Sequence, residues 1–216
     1  MLNRALLLTV ASVLYVTVAH ADETVIVNQN FDKQVAGELP EGWVHAWGNQ
    51  DDDLFRVSSE NAASLKNSLE IDRESGSNLN HWGLKRDFTA PNQGMTEISF
   101  NICIVGPGSQ VGLYIELRDR RATNKEALLL TCAFYKLKGG IYSHTANKPG
   151  LEFGRYVAGK WYHLSMNLPG NRQVGDQVLV SWEPLDKSVP AVTGTFAYRF
   201  PEHHLGTLRI KQLEQS

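Results

Sequence analysis

Residues 111–119 read VGLYIELRD, and their alternation decides the fold class. Val111, Leu113, Ile115 and Leu117 fall on one parity, and Gly112, Tyr114, Glu116 and Arg118 on the other. A period of two sends successive side chains to opposite faces of a strand. The segment is therefore a strand with an apolar face to bury and a polar face to present. KWYHLSMNL (160–168) repeats the pattern: Tyr162, Leu164, Met166 and Leu168 alternate with Trp161, His163, Ser165 and Asn167. In TFAYRF (195–200), Phe196, Tyr198 and Phe200 alternate with Thr195, Ala197 and Arg199. Strands with one apolar face bury it by stacking two sheets.

Working outward, similar short runs predict strands at 24–28, 54–58, 67–72, 82–89, 96–105, 110–119, 127–137, 140–145, 161–168, 177–183, 194–200 and 206–213. Pro107-Gly108, Gly139-Gly140, Pro149-Gly150 and Pro169-Gly170 punctuate them as pairs that reverse a chain cheaply. SENAASLK (59–66) reads equally as one helical turn or a loop. No sustained helical period of apolar residues appears after residue 21. The pattern predicts an all-β sandwich or barrel. No internal repeat or low-complexity linker divides the chain, so 22–216 is expected to be a single domain.

The N-terminus has a different logic. Arg4 supplies a positive charge, Ala5 to Val18 are almost uninterrupted apolar residues, and Ala19-His20-Ala21 places small residues where a signal peptidase reads. This is the layout of a secretory signal, with cleavage expected between Ala21 and Asp22. The apolar run is short of the roughly 20 residues needed to cross a bilayer. The expected destination is the periplasm or the extracellular space, with no membrane span left after cleavage. Net charge is −2, with no basic tail or Lys/Arg run. That excludes a nucleic-acid partner and predicts a neutral or mildly charged ligand.

The chain has two cysteines. Export permits a disulfide, but parity opposes one. Phe100, Ile102 and Ile104 share a face that Cys103 does not, whereas Cys132 keeps company with Leu128, Leu130 and Phe134. A bridge needs side chains that point together.

Several motifs resemble a known family. NFDKQVAGELPEGW (30–43) followed by NSLEID (67–72) resembles the entry of concanavalin A-like jelly rolls. GKWYHLSMNLPG (159–170) with QVLVSWE (177–183) is similar to the Trp strand and its successor in laminin-G-like sandwiches. GTLRIKQL (206–213) resembles their closing strand. The resemblance implies two stacked antiparallel sheets of six or seven strands. Members bind oligosaccharides or proteins, and some cleave polysaccharides, so function must be argued from the site.

YIELRD (114–119) and YKLKGGIYSH (135–144) loosely resemble two strands of alginate-lyase-like jelly rolls. Carried over, Glu116 and Arg118 match the first motif, and Lys138, Gly140 and Tyr142 the second. β-Elimination needs a base and a group that stabilises the developing enolate, roles open to Tyr142 or His144 and to Arg118. The departures are Tyr114 where the motif has Arg, His144 where it has Gln, and a missing Gln-Ile-His motif. A retaining glycosidase needs two carboxylates on one face, but Glu116 and Asp119 have opposite parity, and Glu97 and Glu183 stand alone. No organic cofactor is implied. Asn49, Asp51, Asp52 and Asp53 offer hard oxygen ligands for a structural calcium, Asp51 and Asp53 first among them, without the remaining pattern of an EF-hand. His203-His204 lacks a third ligand.

Sugar binding without catalysis asks less: aromatic faces that stack on sugar rings and a few convergent polar groups. Trp82, Tyr114, Glu116, Arg118, Tyr142, His144, Trp161 and His163 are the candidates. The expected function is recognition of a polysaccharide or glycan on the polar face of one sheet. A lyase acting on a uronic-acid polymer is the alternative, and a structural interaction domain the third reading.

Overall fold

A computed structural model describes residues 31–47, 55–60, 62–63, 66–71, 81–90, 94–103, 111–119, 128–135, 140–144, 151–157, 159–169, 177–197 and 205–214. Residues 1–21, the strand expected at 24–28, the acidic loop of Asn49, Asp51, Asp52 and Asp53, and His203-His204 lie outside the described residues.

A 3-10 turn at Phe31–Lys33 opens the described chain. Thirteen strands follow: β1 Val44–Trp47, β2 Phe55–Ser58, β3 Ser68–Ile71, β4 His81–Asp87, β5 Met95–Cys103, β6 Val111–Asp119, β7 Leu128–Tyr135, β8 Gly140–His144, β9 Leu151–Arg155, β10 Trp161–Pro169, β11 Gln177–Pro184, β12 Val192–Ala197 and β13 Leu205–Glu214. A seven-stranded sheet has the order β1-β4-β13-β6-β7-β8-β9, a four-stranded sheet the order β12-β11-β10-β5, and β2-β3 form a separate pair. Every pairing is antiparallel. Among the described residues the smaller sheet thus has four strands, fewer than the six or seven the resemblance implies. The described residues of 59–66 form bends, not a helical turn.

The alternating strands place the core. Ile115, Leu117, Leu130 and Cys132 of the large sheet meet Tyr162, Leu164, Met166, Leu168, Val178, Val180, Trp182 and Phe196 of the small one, all essentially buried. A second cluster joins Trp43 and Phe55 to Leu84, with Leu69, Leu208 and Ile210 packed against it. Leu84, Leu208 and Ile210 belong to the rows of Ile115 and Leu117 or adjoin them, so both clusters cover the same face of the large sheet. Its other face is the one that carries Tyr114, Glu116 and Arg118.

The entry motifs turn out to be structural. Asp32 Oδ1 accepts the N–H groups of Lys66 at 3.0 Å and Asn67 at 2.9 Å. Asn67 Nδ2 in turn donates to the carbonyls of Phe31 at 3.2 Å and Gln34 at 3.1 Å. This reciprocal clamp fixes the entry of β3 to the opening turn. Asp32→Ala is expected to cost about 1–2 kcal/mol, the scale of exposed hydrogen bonds to a carboxylate. Asn67→Ala should cost a similar amount, and the double variant less than the sum, because both act on one clamp. Urea titration of the three variants checks this.

In LPEGW, Trp43 N–H donates to the Pro40 carbonyl at 3.1 Å across a turn whose third residue, Gly42, has φ +78°. A type II turn requires that positive φ, which favours glycine. Arg86 Nη1 also closes on the Glu41 carbonyl at 2.9 Å, and a Cβ on Gly42 would lie 2.9 Å from the same nitrogen. Glycine is needed there for its positive φ, since the tip of the flexible Arg86 side chain can move away from an added Cβ.

The cysteines occupy different sheets. Cys103 pairs with Trp161 on β5, on the outer parity of the small sheet, while Cys132 is fully buried between the sheets. Both are free thiols. The parity argument against a bridge holds. Burial pushes the Cys132 thiol up to about 12 and raises that of half-buried Cys103. A thiol reagent at neutral pH should therefore leave Cys132 unmodified in the folded protein and modify both cysteines after unfolding without reductant. Absence of thiols after unfolding would mean a bridge.

Candidate binding face

β6 is the middle strand of the seven, and Glu116 stands near its centre. Antiparallel register sets the neighbours of Glu116 across the sheet. One row runs Lys85, Arg209, Glu116, Thr131, His144. The next on the same parity runs Gly83, Lys211, Tyr114, Ala133, Tyr142, Glu152. The third brings Asp87, Thr207, Arg118 and Leu128 together. Glu116 and Arg209, far apart in sequence, thus become lateral neighbours about 4.8 Å apart.

Around Glu116 the side chains form a compact ionic cluster. Arg118 Nη1 donates to Glu116 Oε2 at 3.0 Å, and Arg209 Nη1 lies 3.6 Å from the same oxygen. The Glu116 side chain is 1% exposed, against 11% for Arg118 and 18% for Arg209. The carboxylate therefore forms the floor, and the two guanidinium groups lie nearer to solvent. Two ladder irregularities flank Arg118, between Leu117 and Arg118 toward β7 and between Leu205 and Thr207 on β13. Such bulges bend a strand and re-aim its side chains. Beside the cluster, Thr207 Oγ1 donates to Asp87 Oδ1 at 2.7 Å, and Thr207 and Thr131 are buried. Desolvation lowers the pKa of Arg209 to about 10. Repulsion from Arg118 adds to that effect, and attraction to Glu116 opposes it.

The eight residues singled out in the sequence do not share one face. Tyr114, Glu116 and Arg118 lie together on the outer parity of the large sheet, with the register positions of Tyr142 and His144 in the same rows. Trp82 pairs with Gln212, in the row of Leu113, one position off those rows. Trp161 and His163 lie on the outer face of the small sheet, across the whole sandwich from Glu116. There, His163 Nδ1 is 2.9 Å from Asn101 Oδ1, its partner on β5. A strip joining all eight is therefore replaced by two separate faces, with Trp82 in the rows of neither, because parity gives the face of a strand but not its sheet. Arg209, absent from the candidates, completes the cluster. Its signal was present in GTLRIKQL, where it alternates with Leu208 and Ile210.

Arg118 and Tyr142 belong to rows four residues apart along the strands and two strands apart across the sheet. At about 3.4 Å per residue and 4.8 Å per strand, their backbones are roughly 16–17 Å apart. Arg118 and His144 are closer, one row apart on the same parity, and the Arg118 side chain turns toward the His144 row by its bond to Glu116. Among the described residues no group of three or more His, Cys, Asp and Glu side chains is placed to hold a metal ion. Nor is any helix there long and apolar enough to cross a membrane.

No protein-family model and no curated protein sequence matches this chain. Solved structures do share its fold. A sialidase superposes with TM-score 0.61 at 14% identity over 88% of this chain, which spans only 15% of the sialidase chain. The PL-14 alginate lyase from Aplysia kurodai gives TM-score 0.58 at 15% identity, over 82% of this chain and 83% of the lyase. Lectin II from Ulex europaeus gives 0.50 at 8% identity, covering 84% and 92%. At these identities the likeness is one of fold, and it defines a concanavalin A-like jelly-roll sandwich.

Proposed function

We propose that this chain is a recognition module that binds polysaccharide on the outer face of its seven-stranded sheet without catalysis. The observation that carries this reading is the state of Glu116. The carboxylate at the centre of the face is 1% exposed and already bonded to Arg118, with Arg209 beside it. A buried carboxylate held by guanidinium groups positions them but is poorly placed to take a substrate proton. Tyr114 stands in the adjoining row to add an aromatic edge. That a lectin and a polysaccharide lyase share the fold supports a glycan as the ligand class. The same reading takes the protein as exported, with residues 1–21 removed and 22–216 acting as one domain, which N-terminal sequencing of the secreted product would check.

A lyase is the second reading, favoured by the rows that bring Tyr142 and His144 to the face of Arg118. One experiment separates the two. The purified protein is run in native gels containing neutral or uronic-acid polysaccharides, and the same mixtures are followed for ultraviolet absorbance of the unsaturated uronate that β-elimination leaves. Retardation with flat absorbance is the expected result. Rising absorbance would replace the binding reading with the lyase.

A further inference from the structure

We propose that the outer face of the four-stranded sheet carries a second sugar site, in which Trp161 stacks on a neutral sugar ring while His163 and Asn101 hydrogen-bond its hydroxyls. It lies on the opposite side of the sandwich from Glu116 and does not depend on the reading of that other face.

Register assembles the site. On the outward parity of β10 and β5, Trp161 pairs with Cys103 and His163 pairs with Asn101. Trp161 and His163 stand two residues apart on one strand, about 7 Å along it. One sugar ring and its hydroxyls can span that distance. Trp161 also differs from the other tryptophans whose side chains are described. Trp43 and Trp182 are buried in the two core clusters. Trp161 is half-buried, and among the described residues its indole has neither a ring partner nor a hydrogen-bond acceptor. Part of its aromatic surface and its N–H are therefore left for a ligand.

The polar pair beside it is oriented. His163 Nδ1 lies 2.9 Å from Asn101 Oδ1. An amide oxygen can only accept, so Nδ1 carries the hydrogen and Nε2 of the neutral ring is left as an acceptor. Asn101 keeps both Nδ2 hydrogens to donate. Neither side chain has another partner among the described residues. A fixed acceptor beside a fixed donor suits sugar hydroxyls, each of which does both. In the adjoining row, Ser165 Oγ and Ser181 Oγ bond each other at 2.8 Å, which uses one of their two hydroxyl hydrogens. The other is left to donate.

Charge sets the class of ligand. The four strands of this sheet contain no lysine or arginine. An acidic polymer would find no cation on them, and it would meet Glu97, which pairs with Asn167 on the same parity. Glu183, beside His163, already accepts from Lys187 Nζ in the turn after β11. A protein partner would need an apolar centre. The central row here is Ser99, Ser165, Ser181 and Thr193, which offers hydroxyls instead.

The test uses the whole protein in native gels containing laminarin, hydroxyethyl cellulose or dextran, all neutral. Retardation by at least one of them is the expected result. Trp161→Ala should weaken that retention by roughly tenfold or more, the scale of truncating a central tryptophan at an interface. Trp161→Phe, which keeps a ring, should retain most of it. His163→Ala and Asn101→Ala should each weaken it severalfold, as lost hydrogen bonds do. Lys33→Gln, on the opening turn, should leave it unchanged. Asn101 is exposed and His163 half-buried, so these two variants decide the matter even if Trp161→Ala folds poorly. Retention lost in Tyr114→Ala but kept in the three alanine variants of this face would assign the polymer to the large sheet and overturn the inference. Equal retention in every variant would sink it as attraction without a site. Retardation by none of the neutral polymers would also refute it, leaving the large-sheet reading to be judged on uronic-acid polymers alone.

Discussion

Replacing Trp182 with alanine is expected to remove about 3–5 kcal/mol of stability, the upper range for emptying a buried aromatic site. The indole lies between the two sheets at 2% exposure, stacked on Tyr162 with ring centroids 4.5 Å apart and planes 10° from parallel. Stacking of that kind adds about 0.5–1.5 kcal/mol to the burial itself. The indole also donates to the Arg155 carbonyl at 3.2 Å, tying β11 of the small sheet to β9 at the edge of the large one. Tyr162 makes a parallel tie, its hydroxyl accepting the Val157 N–H at 2.9 Å just beyond β9. Trp182→Phe keeps a ring over Tyr162 but loses the donor, so it should cost distinctly less than Trp182→Ala. Urea unfolding of both variants measures the pair. A midpoint shift for Trp182→Ala no larger than that of a surface control would contradict the placement of this residue at the core.

The second large effect concerns Glu116. Substituting alanine removes the carboxylate that both Arg118 and Arg209 approach. Removing one partner of a buried ionic group typically costs about 3–5 kcal/mol, because the remaining charge is left uncompensated. The informative comparison is with Glu116→Met, Arg118→Met, Arg209→Met combined. If the cluster behaves as a unit, the triple variant is more stable than Glu116→Ala alone, since it removes all three charges together. It should nevertheless lose retention on the polysaccharide that the unmutated protein binds on this face. Recovery of stability with loss of binding would separate the structural cost of the cluster from its use. A triple variant less stable than the single one would show that the charges themselves hold this face together.

Much of the fold was legible because it follows from period two. β6 and β10 bury the sets their alternation names, with Ile115 and Leu117 meeting Leu164, Met166 and Leu168. Two described strands escaped notice, β1 (VHAW) and β9 (LEFGR), and they are the two edges of the large sheet. An edge strand is paired on one side only and tolerates short length and glycine, so its sequence is less constrained. The site was legible in part. Tyr114, Glu116 and Arg118 are read from one strand, but Arg209 joins them through a pairing that no local pattern encodes. Trp161 and His163 fit the composition of a sugar face, yet strand parity says nothing about which sheet receives β10. The Asp32–Asn67 clamp shows the converse: residues that carry a family likeness are here chain fasteners rather than ligand contacts.

The place of β13 has a consequence for the order of assembly. Its residues come after every other described strand, yet it lies between β4 and β6, which touch no common neighbour without it. The Thr207–Asp87 bond alone spans 120 residues. Until β13 arrives, the large sheet exists as two fragments, one of β1 and β4 and one of β6 to β9, each with an exposed ladder. The large sheet therefore cannot close until β13 has been made. Pairing over such sequence separations slows folding. The pairing of β13 is also the moment at which Arg209 first joins Glu116.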